Sequence, residues 1–228
     1  PAGRRRQQVP LSEAAWQAAL RAPETTNWLD LAERAPGAER RTEAYVRALE
    51  QPGGAKAATA LRGLLREGVV TPQVLWERLE QAGGASAEGL RLRCEMGLLA
   101  APDVATVRSC QLFGRRFPAH PAVWSLALAA GHVSETVLHD PALAVAEYSR
   151  ALQAAKYAPA AGGEALWRRA RARATLGERD EAAADLRLYL HLVPESRSRA
   201  DVVALAQDLG VEAAEAMGTG KFLQGKAQ

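Results

Sequence analysis

The stretch from Gly163 to Pro194, GEALWRRARARATLGERDEAAADLRLYLHLVP, constrains the fold most, because it encodes a complete helical hairpin in local sequence. Apolar Leu166 and small Ala170 sit one turn apart, Gly177 interrupts the helical pattern, Ala182 and Leu186 resume it, and Pro194 stops it. An amphipathic hairpin of this kind cannot bury its apolar face alone. It therefore implies neighbours built the same way.

Those neighbours are legible as a succession of capped helices. Ser12 caps a first helix to about Arg21, and Thr26 a second ending near Pro36. Leu61, Leu64 and Leu65 share one helix face, Thr71 and Pro72 open another helix, and Ser86 and Asp103 begin two more. A further helix opens at Trp124, His120 before Pro121 reads as its entry, and Ser198 caps a last one whose Val202, Val203, Leu205 and Leu209 cover the preceding hairpin. Alanine makes up about a fifth of the 228 residues while aromatics are 5%, so the 48% apolar fraction is mostly small helix formers. Period-two runs of β-branched residues are almost missing.

Leu166, Ala170, Gly177, Ala182, Leu186 and Pro194 fall at the positions that define the roughly 34-residue tetratricopeptide repeat, which this stretch resembles. Trp28, Leu31, Ala32, Ala35 and Ala44 resemble a shortened repeat over residues 24–52, and Ala144, Tyr148 and Ala151 keep the spacing of a second repeat helix. The runs around DPALAVAEYSRAL and ALWRRARARATLGERDEAAADLRLYL are also similar to tetratricopeptide segments of bacterial cell-envelope proteins. The resemblance implies an all-α fold, an α-solenoid of antiparallel helix pairs with a degenerate N-terminal half. The organisation expected is a flexible basic arm over 1–10, a degenerate helical-repeat region over 11–119, repeats with a capping helix over 120–210, and a flexible tail over 211–228. Arg169 and Arg173 stand where the repeat usually buries leucine and an aromatic, which implies a first helix that is less buried or rotated there.

The resemblance also implies a function: a non-enzymatic scaffold that holds a protein or peptide in a groove lined by first helices, in a bacterial envelope-associated assembly. The groove positions are Glu164, Trp167, Arg171 and Thr175, with core packing as the competing role of Trp167 and a solvated ion pair that of Arg171. No cofactor, metal or small-molecule substrate is expected, and no direct membrane contact. The four histidines, His120, His132, His139 and His191, lack zinc-binding spacing. Gly218 to Lys221 lacks the first glycine, the Ser or Thr, and the strand of a phosphate loop. Asp180, Glu181 and Asp185 read as exposed ion-pair partners of Arg179 and Arg187.

Two other readings stay open. Arg4, Arg5 and Arg6, with the helix Arg168 to Arg173, supply charge for nucleic acid or another anionic polymer, although the net charge is only +3. The chain, which opens PAGRRRQQVP without an initiator Met, is alternatively a regulatory domain of a larger membrane-linked protein. It is expected to be soluble, in the periplasm or cytoplasm, and its preference for Arg and Ala over Lys fits a high-GC bacterial genome. Cys94 and Cys110 lie in different helices, so free buried thiols are expected, with a single inter-helix bridge as the alternative in an oxidising compartment.

Overall fold

A computed structural model describes residues 11–155 and 159–211. The basic arm, the tail after Val211 and its glycine-rich GTGK run lie outside the described residues. Those described form twelve α-helices and one short 3-10 segment, Pro194–Ser198, with no strand among them. The chain is all-α, and no helix among the described residues is long and apolar enough to cross a membrane. It divides into two compact units, Pro1–Arg116 and Phe117–Gln228.

The first unit holds α1 (Glu13–Arg21), α2 (Trp28–Arg34), α3 (Ala38–Ala48), α4 (Gly54–Arg66), α5 (Pro72–Ala82), α6 (Ala87–Ala100) and α7 (Val104–Arg116). Short polar side chains start most of these helices by taking the orphan amides of the first turn. Ser12, Thr71 and Ser86 accept from the amides of Ala15, Val74 and Gly89, and Asp103 from that of Thr106. The second helix begins one residue later than expected. Asn27 caps it, because the Thr26 hydroxyl is turned back to donate to Ala22 O at 2.8 Å. Leu61 and Leu64 enter a core with Trp16, Trp28, Leu75 and Leu92, while Leu65 packs at its margin.

The two cysteines are bridged, which corrects the expectation of free thiols. α6 and α7 pack against each other and bring the Cα atoms of Cys94 and Cys110 to 4.9 Å, so the disulfide closes across that pair. Both residues are buried. Sequence spacing alone does not reveal that the two helices are partners.

The second unit holds α8 (Val123–Thr136), α9 (Pro141–Ala154), α10 (Pro159–Leu176), α11 (Arg179–Leu192) and α12 (Ala200–Leu209). Each of these helices packs on the next in sequence. The His120 ring accepts from the Ala122 amide at 3.1 Å at the entry to α8. α8 and α9 approach so closely that a Cβ on Gly131 would lie 2.5 Å from the Tyr148 ring. Gly177, at φ 80°, makes the left-handed turn between α10 and α11 that a side chain would strain. Val202 and Ala206 of α12 are buried against Leu186, Tyr189 and Leu190 of α11. Ser198 does not cap this helix. Its hydroxyl is directed to Glu195 O within the 3-10 segment, and the capping position falls to Arg199.

Candidate functional site

The first unit carries a cleft of about 590 Å³. Its apolar floor is Trp28, Val46, Leu49 and Leu79, and charged side chains of α3, α5 and α6 surround it. Gln51 fixes the floor: its Oε1 accepts from the Trp28 amide at 3.0 Å while its Nε2 donates to Thr26 O at 2.7 Å. The Trp28 indole donates to Pro23 O at 3.0 Å. With Trp28 held at its backbone amide and at its indole, the Arg47 guanidinium lies 4.8 Å over the ring.

The cleft's cations are held by carboxylates, Arg47 included. Glu43 pairs with Arg47 at 3.0 Å and Arg78 at 3.8 Å, and Arg78 also reaches Glu39 at 2.8 Å. Arg93 pairs with Glu80 and donates to Ser109 Oγ at 3.3 Å, which ties the cleft wall to α7.

Glu50 closes one end. Its carboxylate accepts from the amides of Ala85 and Ser86 at 3.0 Å and from the Ser86 hydroxyl at 2.7 Å, so a side chain just past the end of α3 holds the start of α6. Gly84 and Gly89 leave the room; a Cβ on Gly89 would stand 2.6 Å from Glu50 Oε1. Charge-assisted bonds at a helix N-terminus are stronger than neutral ones. Glu50→Ala is expected to lose about 1–2 kcal/mol of stability. Faster amide hydrogen exchange confined to the first turn of α6 would confirm the cause, and unchanged exchange there would refute it.

In the second unit, Glu164, Trp167, Arg171 and Thr175 share α10 but not one surface. Trp167 is only 4% exposed, packs on Tyr189 with ring centres 5.6 Å apart, and is flanked by Arg199 at 5.3 Å and Arg171 at 5.9 Å. It is a core residue whose edge reaches a shallow hollow against α12, lined also by Arg171, Asp201, Ala204, Leu205 and Asp208. Glu164 pairs with Arg168 at 2.6 Å, Arg171 with Glu135 at 3.3 Å, and the Thr175 hydroxyl donates to Arg171 O. Arg168, rather than Trp167, completes this polar face, and it contacts His132 of α8 at 2.8 Å. Burial, with the Glu135 carboxylate accepting from its hydroxyl at 2.7 Å, holds the Tyr148 phenol well above its ordinary range.

Asp185 is not the exposed partner of Arg179 or Arg187 that its neighbours imply. It is buried against α10, taking both oxygens' worth of hydrogen bonds from Arg169 at 2.8 and 2.6 Å and one from Arg173 at 2.8 Å. Arg169 also donates to Ser149 of α9 at 3.0 Å. The arginines that stand where a repeat would bury apolar side chains are thus only partly withdrawn from solvent, and are neutralised by a carboxylate on the facing helix. Every arginine from Arg168 to Arg173 has a carboxylate partner, so this helix is not a free cationic stripe.

No group of three or more His, Cys, Asp or Glu among the described residues is placed to hold a metal ion. Neither a protein-family description, nor a curated protein, nor a solved structure matches this chain.

Proposed function

We propose that the chain is a non-enzymatic adaptor in which each unit is a short array of stacked helical hairpins, and that the cleft of the first unit holds an extended segment of a partner protein. The observation that carries this reading is the cleft itself. A concave apolar floor rimmed by charged side chains of three helices is the combination that offers a partner both contact area and directional bonding, with Arg47, Arg78 and Arg93 as the donors at the rim. Stacked hairpins also account for helices that touch mainly their sequence neighbours and the next but one, as α3 with α5, α4 with α6 and α8 with α10 do. The polar face of α10 with Glu164, Arg171 and Thr175 is the corresponding candidate groove of the second unit.

A photo-crosslinking residue placed at Gln81, on the cleft rim, tests the assignment. The full chain is offered a displayed library of random peptides. Crosslinking of selected peptides at position 81, and not at Lys56 on α4, is expected. Equal yields at the two positions, or selection of no peptide at all, would overturn the cleft as the binding site.

A further inference from the structure

The seventh helix presents a surface that neither the cleft nor the fold uses. Its inward face buries Thr106, Val107, Cys110 and Phe113, leaving Val104, Arg108, Leu112, Arg115 and Arg116 on the opposite side at spacings of about one helical turn. Val104 is 45% exposed, Leu112 37%, and Leu99, at the end of α6, 69%. VATVRSCQLFGRR contains no Asp or Glu. None of Arg108, Arg115 and Arg116 makes an ion pair among the described residues. The contrast with α10 is sharp in physical terms, since there each guanidinium from Arg168 to Arg173 meets a carboxylate.

Local helix chemistry explains only part of this arrangement. Cations in a last turn complement the helix dipole, which accounts for Arg115 and Arg116. It does not account for Arg108 in mid-helix, nor for Val104 and Leu112 left exposed on the same helix. A row in which aliphatic and guanidinium groups alternate at helical spacing matches a second helix carrying the opposite charge.

We propose that the outward face of α7 is a docking surface for an acidic amphipathic helix of a partner protein, whose aliphatic stripe covers Val104 and Leu112 and whose flanking Asp or Glu side chains pair with Arg108, Arg115 and Arg116. Charge complementarity selects the partner's sign. The size of the apolar row selects its form: Val104 and Leu112 are too few, and lack the aromatic anchors, for the face to bind in a lipid headgroup layer. No aromatic side chain lies on the face to stack a nucleobase. The Cys94–Cys110 bridge fastens α7 to α6, so the surface is held in place before a partner arrives and little ordering cost accompanies docking. This surface is distinct from the cleft, and the proposal stands or falls independently of it.

The test uses the full chain and a displayed library of helical peptides with random choices of Leu, Glu, Lys and Ser. Selected peptides should carry Glu on both sides of a leucine stripe and bind more weakly as salt rises. The combined variant Arg108→Glu, Arg115→Glu, Arg116→Glu should lose roughly tenfold or more in affinity. A control with the same charge change elsewhere, Arg21→Glu, Arg66→Glu, Arg187→Glu, should keep it. Leu112→Ser should also weaken binding, because a packed helix needs the aliphatic contact. All these side chains are exposed, and matching thermal melts would establish that the variants remain folded. Selected peptides without acidic residues, equal losses in both charge variants, or an unchanged affinity for Leu112→Ser would overturn the proposal. So would binding to phosphatidylglycerol vesicles or duplex DNA that exceeds that of any selected peptide and vanishes with the α7 substitutions.

Discussion

Asp185→Ala is expected to cost the second unit about 3–5 kcal/mol, the loss typical of removing one partner from a buried ion pair. The carboxylate sits 5% exposed on α11 and is the shared anion of Arg169 and Arg173. Without it, Arg169 keeps only the Ser149 hydroxyl and Arg173 a longer 3.7 Å approach to Glu178. Two cations would then face each other across a gap too enclosed for full hydration. Replacing the whole cluster should behave differently, because apolar side chains of similar volume satisfy one another. The triple variant Arg169→Met, Arg173→Leu, Asp185→Leu is expected to recover most of the loss. Hydrogen exchange resolved to α9, α10 and α11 checks both outcomes; a single variant that is no less protected than the parent would show that the cluster does not stabilise the unit.

Removing the Cys94–Cys110 bridge is the second large effect expected, and it should fall on the first unit. The cysteines are separated by 16 residues. Freeing a loop of that size in the unfolded chain lowers stability by about 3 kcal/mol. Cys94→Ala with Cys110→Ala isolates this effect from the chemistry of a reductant. Urea unfolding should show the first unit shifted to lower denaturant, with exchange in α7 rising most, while the second unit keeps its midpoint. Coincident unfolding of parent and double variant would mean that packing of α6 on α7 suffices without the bond. The same measurement on the parent chain after a dithiol reductant should reproduce the variant.

What could be read from the sequence divides by the range of the interactions concerned. Ser12, Thr71 and Ser86 were readable as caps because the amide each one accepts is three residues away. The Gly177 turn and the Pro194 stop are local in the same sense, and so is the all-α character. Thr26 and Ser198 misled because each hydroxyl has a nearby carbonyl that competes with the capping role, a choice set by the backbone geometry of one turn. The pairing of Asp185 with Arg169 and Arg173 depends on how α10 and α11 rotate against each other, and charge order along either helix points instead to Arg179 and Arg187. Trp167 was readable as an important aromatic but not as one turned toward Tyr189. The cleft of the first unit left no local signal, since Trp28, Arg47, Arg78 and Arg93 come from four helices. Gln51, which fixes its floor, looks like any residue after a helix end.

In the second unit each helix packs on its neighbour in sequence, and this has a consequence for how the chain is made. Contacts close in sequence form quickly, because little chain entropy is lost in closing them. As the polypeptide leaves the ribosome, α9 finds α8 already complete, α10 finds α9, and α11 finds α10, so the second unit can assemble at the pace of synthesis. The first unit differs at two points. The start of α6 is held partly by reaching back to Glu50, across some three dozen residues, and α7 gains its covalent tie to α6 when an oxidant joins Cys110 to Cys94. Completion of that unit therefore depends on the redox surroundings the chain meets as well as on the pace at which it is made.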